Sequence, residues 1–278
     1  MKTLYDEFSR QVSKAVTKKY STSFSWAVLA LYPSIRPAIH AIYGYVRLAD
    51  EIVDSFHGYN KQQLLERFRE QTWQALEDGI SLNPVLQSFQ ETVNKYGIDR
   101  ILIVQFLQSM EMDLAPVTYD QERYNAYILG SAEVVGLMCL QVFVNGDAEA
   151  YERLKPFAMK LGSAFQKVNF LRDLKDDYQV LGRTYFPNID MKGFNNATKT
   201  CIEEDIAAEF QAALAGIRKL PASSRFGVYL AYKYYLSLFN KIKQTPAQRI
   251  LQERIRIPNR QKISLMMSSY IQYKMAYI

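Results

Sequence analysis

The sequence predicts an all-α chain, and three observations carry that prediction. Apolar residues recur at the three- and four-residue spacing of helical faces along most of the length. No stretch of useful length alternates apolar and polar residues as a half-buried strand would. Breakers are sparse, with 12 glycines and 9 prolines in 278 residues, so elements run long. No linker-like segment divides the sequence, which reads as one domain over 1–278.

The elements follow in order. Leu4, Phe8, Val12, Ala15 and Val16 mark the apolar face of an N-terminal helix whose other face carries Lys and Arg. A basic amphipathic helix can lie on a membrane, but an outer helix of a bundle is the simpler reading. A second helix begins at Ser34 to Pro37, where proline suits the first turn, and runs to about Phe56. Gly58, Tyr59 and Asn60 end it. The spacing predicts further helices over 60–78, 84–96, 99–113, 121–145 and 147–180, with breaks at Gly79, Asn83-Pro84, Gly97, Pro116 and Asn145-Gly146. Residues 181–198 read as a loop, helices resume over 199–219 and 222–243, and a last one follows Pro258.

The net charge of +6 suits an anionic ligand, an acidic membrane surface or simply a solvated exterior. Cys139 and Cys201 form no CxxC or Cys/His cluster, which argues against a disulfide framework or a zinc site and for a reducing compartment. The N-terminus shows no apolar signal-peptide core. The longest apolar stretch, Val134 to Val144, is shorter than the roughly 20 residues of a bilayer crossing. A cytoplasmic location is expected, with room for peripheral contact at the inner membrane surface. His40 and His57 fit no metal or triad pattern, and neither G-x-S-x-G nor a P-loop occurs.

Two acidic helices carry the chemistry. In YGYVRLADEIVD, Asp50 and Asp54 lie four apart on one helical face, and Tyr43 and Arg47 extend that stripe. In LGSAFQKVNFLRDLKDDYQ, Gly162, Gln166, Asn169, Asp173 and Asp177 share another face. An acidic i, i+4 pair is often a solvated face. Here Ala, Val, Leu and Ile flank both stripes, which places the carboxylates against a cavity. Carboxylates crowded away from water repel one another and call for cations. Oxygen-only ligands on two helices, with the Asn169 amide among them, suit Mg²⁺, or Mn²⁺ in its place, completed by substrate phosphates. Arg47 and Arg172 stand beside the stripes as phosphate donors. The combined expectation is a diphosphate held by metal between two helices.

These motifs resemble the squalene/phytoene synthase family over nearly the whole length. The matching segments are Tyr20 to Phe24 (YSTSF), Arg47 to Asp54 (RLADEIVD), Tyr127 with Gly130 and Val135-Gly136, and Gln166 to Asp177 (QKVNFLRDLKDD). They continue with Gly182 to Pro187 (GRTYFP) and the basic segment Arg254 to Arg260 (RIRIPNR). The resemblance implies an all-α isoprenoid-synthase fold, a helical bundle around a central cavity. It implies that Asp50, Asp54, Asn169, Asp173 and Asp177 bind Mg²⁺, and that Tyr20, Ser21, Thr22, Ser23, Tyr43, Arg47, Gln166 and Arg172 contact the diphosphates or nearby prenyl carbons. Tyr20 stands where relatives often carry His, and its phenol can still donate a hydrogen bond.

The reaction implied is head-to-head coupling of two prenyl diphosphates through a cyclopropylcarbinyl diphosphate, with no NADPH for a phytoene-forming member. Phe24, Tyr43 and Tyr127 offer π faces to an allylic cation. Sequence details resemble bacterial phytoene synthases, which sets geranylgeranyl diphosphate as the expected substrate and farnesyl diphosphate, giving dehydrosqualene or squalene, as the alternative. A nucleic-acid partner is not expected, because acidic stripes would repel a phosphate backbone; a non-catalytic helical binder is the remote alternative. Oligomeric state leaves no mark in the sequence.

Overall fold

A computed structural model of the chain describes residues 1–114, 119–179, 185–187, 189 and 193–275. Among these residues no strand occurs. The helices are α1 (Lys2–Tyr20), α2 (Thr22–Leu29), α3 (Arg36–Asp54), α4 (Lys61–Asp78), α5 (Pro84–Tyr96), α6 (Arg100–Met112) and α7 (Gln121–Ile128). A π-helical turn, Leu129–Glu133, joins α7 to α8 (Val134–Val144). Then come α9 (Ala148–Gln179), α10 (Asn196–Ile217), α11 (Ala222–Lys243), the single turn α12 (Ala247–Ile250) and α13 (Asn259–Lys274). The spacing-based boundaries agree to within a few residues; α2 and α12 are additional, too short to show a period. The predicted break at Pro116 and residues 182–184 of the GRTYFP segment lie outside the described residues.

Local chemistry sets the helix ends. Asn60, Asn83, Asp99, Asp120 and Asn195 each accept an amide hydrogen bond in the first turn that follows them, which satisfies donors that have no partner inside the helix. Gly79 and Gly97 end α4 and α5 in the left-handed region, where a side chain would be strained.

The core is one cluster centred on α3. Tyr45, fully buried, stacks on Phe89 of α5 with ring centroids 3.8 Å apart, and on Phe68 of α4 at 5.1 Å. On the other side of the molecule α9 packs against α8, α10 and the π-turn.

The N-terminal helix corrects the sequence reading. Its buried face is not Leu4 and Phe8, which are exposed, but Ser9, Ser13 and Thr17. Small residues allow α1 to pack closely on α3 and α5: Ser13 Oγ lies 2.6 Å from Ser88 Oγ, and a Cβ on Gly44 would sit 3.1 Å from Ser13 Oγ. Ser9 and Thr17 donate back to their own helix, to the Tyr5 carbonyl at 2.8 Å and the Ser13 carbonyl at 2.9 Å, and Ser13 is paired with Ser88, so burying them leaves no orphaned donor.

The run Gln121–Val144 is a continuous helical segment of 24 residues with a mean hydropathy of 1.8, long and apolar enough by length and composition to cross a membrane. Half of its most apolar window is buried inside the protein, against α3, α6 and α9, as a core helix would be. The π-turn extends the apolar stretch beyond its sequence length. It also makes two very close backbone contacts. A Cβ on Gly130 would sit 2.5 Å from the Gln105 carbonyl oxygen of α6, and one on Gly162 of α9 would sit 2.7 Å from the Ala132 carbonyl oxygen. Gly162 therefore serves packing, although it shares a helical face with polar residues. Gly130→Ala and Gly162→Ala should each destabilise the protein by about 1–3 kcal/mol through overpacking. Urea unfolding should show lowered midpoints with unchanged slopes; wild-type midpoints would refute the contacts.

Candidate active site

Helices α3 and α9 carry the two polar stripes, and both helices are central. No residue of α3 from Ala38 to Asp54, nor of α9 from Leu161 to Asp177, is exposed. Yet Tyr43, Arg47, Asp50 and Asp54, and likewise Gln166, Asn169, Arg172, Asp173 and Asp177, are all partly accessible. Polar side chains that stay accessible on helical segments without an exposed residue border a recess within the bundle. Tyr235 of α11 bridges the two stripes. Its hydroxyl donates to Asn169 Oδ1 at 3.3 Å, and its ring stacks on Phe165 at 3.8 Å. Its phenol also lies close enough to Tyr43 to resist that residue's ionisation.

On α3 the charges are crowded. Burial, and after it the nearby negative charge of Asp54, push the Asp50 carboxyl up to about 7. Arg47 opposes this from 4.0 Å, while Asp113 and Glu51 add to it. Arg47 itself is shared: it forms an ion pair with Glu51, and its guanidinium lies 4.5 Å from the centre of the Tyr20 ring. Tyr20 and Arg47 together hold the Glu51 carboxyl below its ordinary value, against the burial that would raise it. Tyr20 thus stands beside the Arg47–Glu51 pair.

Ser21 caps α2, accepting from the Phe24 amide at 3.2 Å, and lies near the Tyr43 hydroxyl. The free amides of Thr22 and Ser23 at this helix start therefore sit against the α3 stripe, an arrangement that favours anions. Thr22 is exposed and Ser23 half-buried. Phe24 stacks on Tyr43 with centroids 4.8 Å apart, and burial pushes the Tyr43 hydroxyl up to about 12.

On α9, Asp173 is held by two guanidiniums. Arg172 Nε donates to it at 2.9 Å, and Arg254 forms an ion pair with it, Nε lying 2.7 Å from Oδ1 and Nη2 donating to Oδ2 at 3.4 Å. Arg254 comes from the segment between α12 and α13, which spacing alone did not assign to the site; its basic RIRIPNR context was the available signal. Asp54 and Asp177 are half-buried members of their stripes, and Gln166 and Asn169 complete the face of α9.

Tyr127 belongs to a different wall. It is buried, its hydroxyl donates to Asp113 Oδ2 at 2.8 Å, and its ring sits 5.3–6.0 Å from those of Tyr119, Phe170 and Tyr185. Asp113 is the second residue that the sequence reading missed. It lies just past the end of α6, where no periodic pattern marks it, and its charge reaches Asp50.

The donor set fits a hard dication. All candidate ligands are oxygens, and Asp50 is disfavoured as an anion by its like-charged neighbours, which a cation would relieve. Among the described residues no three His, Cys, Asp or Glu side chains close on a common point.

An all-helical bundle with two carboxylate stripes around an interior recess is the isoprenoid-synthase architecture. The fold matches the crystal structure of a dehydrosqualene synthase in complex with ligand with a TM-score of 0.83 at 20% identity, covering 97% of this chain and 98% of that one. The squalene/phytoene synthase family model matches residues 17–261, and the chain belongs to that family. It is 28% identical to phytoene synthase of Pseudescherichia vulneris over 251 residues, 80% of this chain and 79% of that protein. It is also 28% identical to 4,4'-diapophytoene synthase of Staphylococcus haemolyticus over 230 residues, 77% of this chain and 76% of that one.

The raised Asp50 carboxyl has a consequence for metal-free protein. A carboxyl raised to about 7 contributes stability that is complete below its unfolded value and is lost as pH rises through about 7. Asp50→Asn removes that loss. Its stability gain over wild type should be greater at pH 8 than at pH 5 by about 1–2 kcal/mol, discounted for partial solvent access. Chemical denaturation in the presence of a chelator measures the difference. A gain independent of pH would contradict the crowding.

Proposed function

We infer that the protein couples two prenyl diphosphates head to head, with geranylgeranyl diphosphate as substrate and phytoene as product. The observation that carries this reading is the pair of half-accessible carboxylate stripes on α3 and α9, bridged by Tyr235 and flanked by Arg47, Arg172 and Arg254. Phytoene synthases among the relatives support the C20 substrate. The equal identity to a diapophytoene synthase favours a second reading, with farnesyl diphosphate as substrate and the same chemistry.

The site's residues would divide the work as follows. Asp50, Asp54, Asn169, Asp173 and Asp177 would hold Mg²⁺, which neutralises charge on the departing diphosphate. Arg47 and Arg172, with the amides of Thr22 and Ser23, bind the diphosphate oxygens and fix the reacting carbon. Asp173 is already paired with Arg172 and Arg254. An arriving diphosphate gives those guanidiniums new acceptors and frees the carboxylate for the metal. The stacked Phe24–Tyr43 pair and the Tyr127 cluster line the recess with π faces that tolerate an allylic cation and offer it no strong nucleophile. Exclusion of water by these walls lets the cation meet the second substrate's double bond first. Loss of a proton from the coupled cation closes the cyclopropane. The cyclopropylcarbinyl diphosphate so formed releases its own diphosphate at the same donors and rearranges, and loss of a second proton ends the sequence without NADPH.

Purified protein incubated with Mg²⁺ and geranylgeranyl diphosphate should give a C40 hydrocarbon without NADPH. A C30 hydrocarbon formed only from farnesyl diphosphate would transfer the assignment to the second reading, and no hydrocarbon from either would refute both. Asp50→Ala and Asp173→Ala should each lower turnover at least about 100-fold with the fold retained. Near-normal turnover in either variant would remove that residue from the metal site.

A further inference from the structure

Charge is distributed unevenly along this chain. From Phe210 onward twelve Lys and Arg residues face a single acid, Glu253, in a protein whose net charge is +6. The remaining sequence is therefore net acidic. Much of this positive segment forms α11, α12 and α13, and α13 packs mainly on α11. One flank of α13 is anchored: Tyr229 donates to Gln272 at 2.9 Å, and Phe226 packs against Tyr273 and the edge of Tyr270, which lies at the border of that flank.

The opposite arc of α13 carries Ile263, Met267, Tyr270 and Ile271, between 48% and 57% exposed. Arg260 and Lys274 lie on the same arc, one near each end. Exposed apolar residues bracketed by cations, without one acid on the helix, form a surface complementary to a layer that is apolar inside and negative outside. The exposed Leu4 and Phe8 on α1 have Asp6 and Glu7 between them and lack this complementarity.

We propose that the α13 arc is the face by which the protein docks on an anionic lipid bilayer. The apolar side chains enter the acyl boundary, and Arg260 and Lys274 meet lipid phosphates. The segment leading into α13 brings Arg254 to Asp173, so the docked helix is joined through a short tether to the polar end of the recess. A nucleic acid would use the cations but gain nothing from the apolar stripe.

The test is co-sedimentation with vesicles of phosphatidylcholine alone or with added phosphatidylglycerol, without any prenyl diphosphate, so that the outcome is independent of the catalytic reading. Wild type should pellet with the anionic vesicles, more weakly as salt rises, and not with neutral ones. Arg260→Gln/Lys274→Gln should weaken binding on the order of tenfold or more. Ile263→Ser/Met267→Ser/Ile271→Ser should weaken it similarly while keeping wild-type helicity and activity. Three results would overturn the proposal. One is no vesicle binding by wild type. Another is binding lost only in Leu4→Ser/Phe8→Ser. The third is binding unaffected by the α13 variants while these abolish self-association in light scattering or binding to a short DNA duplex.

Discussion

The repulsion among Asp50, Asp54 and Asp113 is the constraint on which the site depends. Water would normally screen such a group, but α3 is central and its stripe opens only into a recess. Burial and like charge together push Asp50 to about 7, so the recess is unfavourable for the very carboxylates that line it. The molecule offsets this with guanidiniums. Arg47 serves the α3 stripe, and Arg172 and Arg254 close on Asp173. Each of these arginines is also a good phosphate donor. A site with carboxylates short of cations and arginines able to exchange partners is suited to a ligand that brings metal and phosphate together.

Packing protects that arrangement. α3 is fixed by the stacked Tyr45 cluster behind it, and α9 by the close approach of its Gly162 to the π-turn. A buried network reinforces α9 from outside the recess: Lys167 pairs with Asp205 and Glu209 of α10, and Ser163 donates to Glu209 at 2.9 Å. Lys167 and Ser163 point away from the stripe that holds Asn169 and Asp173, so the same helix presents one charged face to its neighbour and another to the recess. An ion-pair network at a helix interface fixes register more surely than it adds stability.

The helical architecture was legible because it is periodic. Few breakers and clear caps such as Asn83-Pro84 and Asp99 placed most boundaries to within a few residues. Asp50, Asp54, Asn169 and Asp173 were legible because each stripe is local in sequence. What depends on long-range packing was not. Leu4 and Phe8 looked like a buried face, yet the small side chains of Ser9, Ser13 and Thr17 pack closer and take that place. Asp113, Tyr235 and Arg254 reach the site from three other elements, and no spacing within one helix reveals them. Gly162 looked like part of a polar stripe, whereas its role is defined by the Ala132 carbonyl of another element.

Calorimetric titration of the purified protein with inorganic diphosphate, with and without Mg²⁺, tests the central claim most directly. The account predicts tight binding only when metal and diphosphate are present together, and loss of that joint dependence in Asp50→Asn and Asp173→Asn. Diphosphate binding of equal strength in a chelator, or a metal response that survives both substitutions, would contradict it.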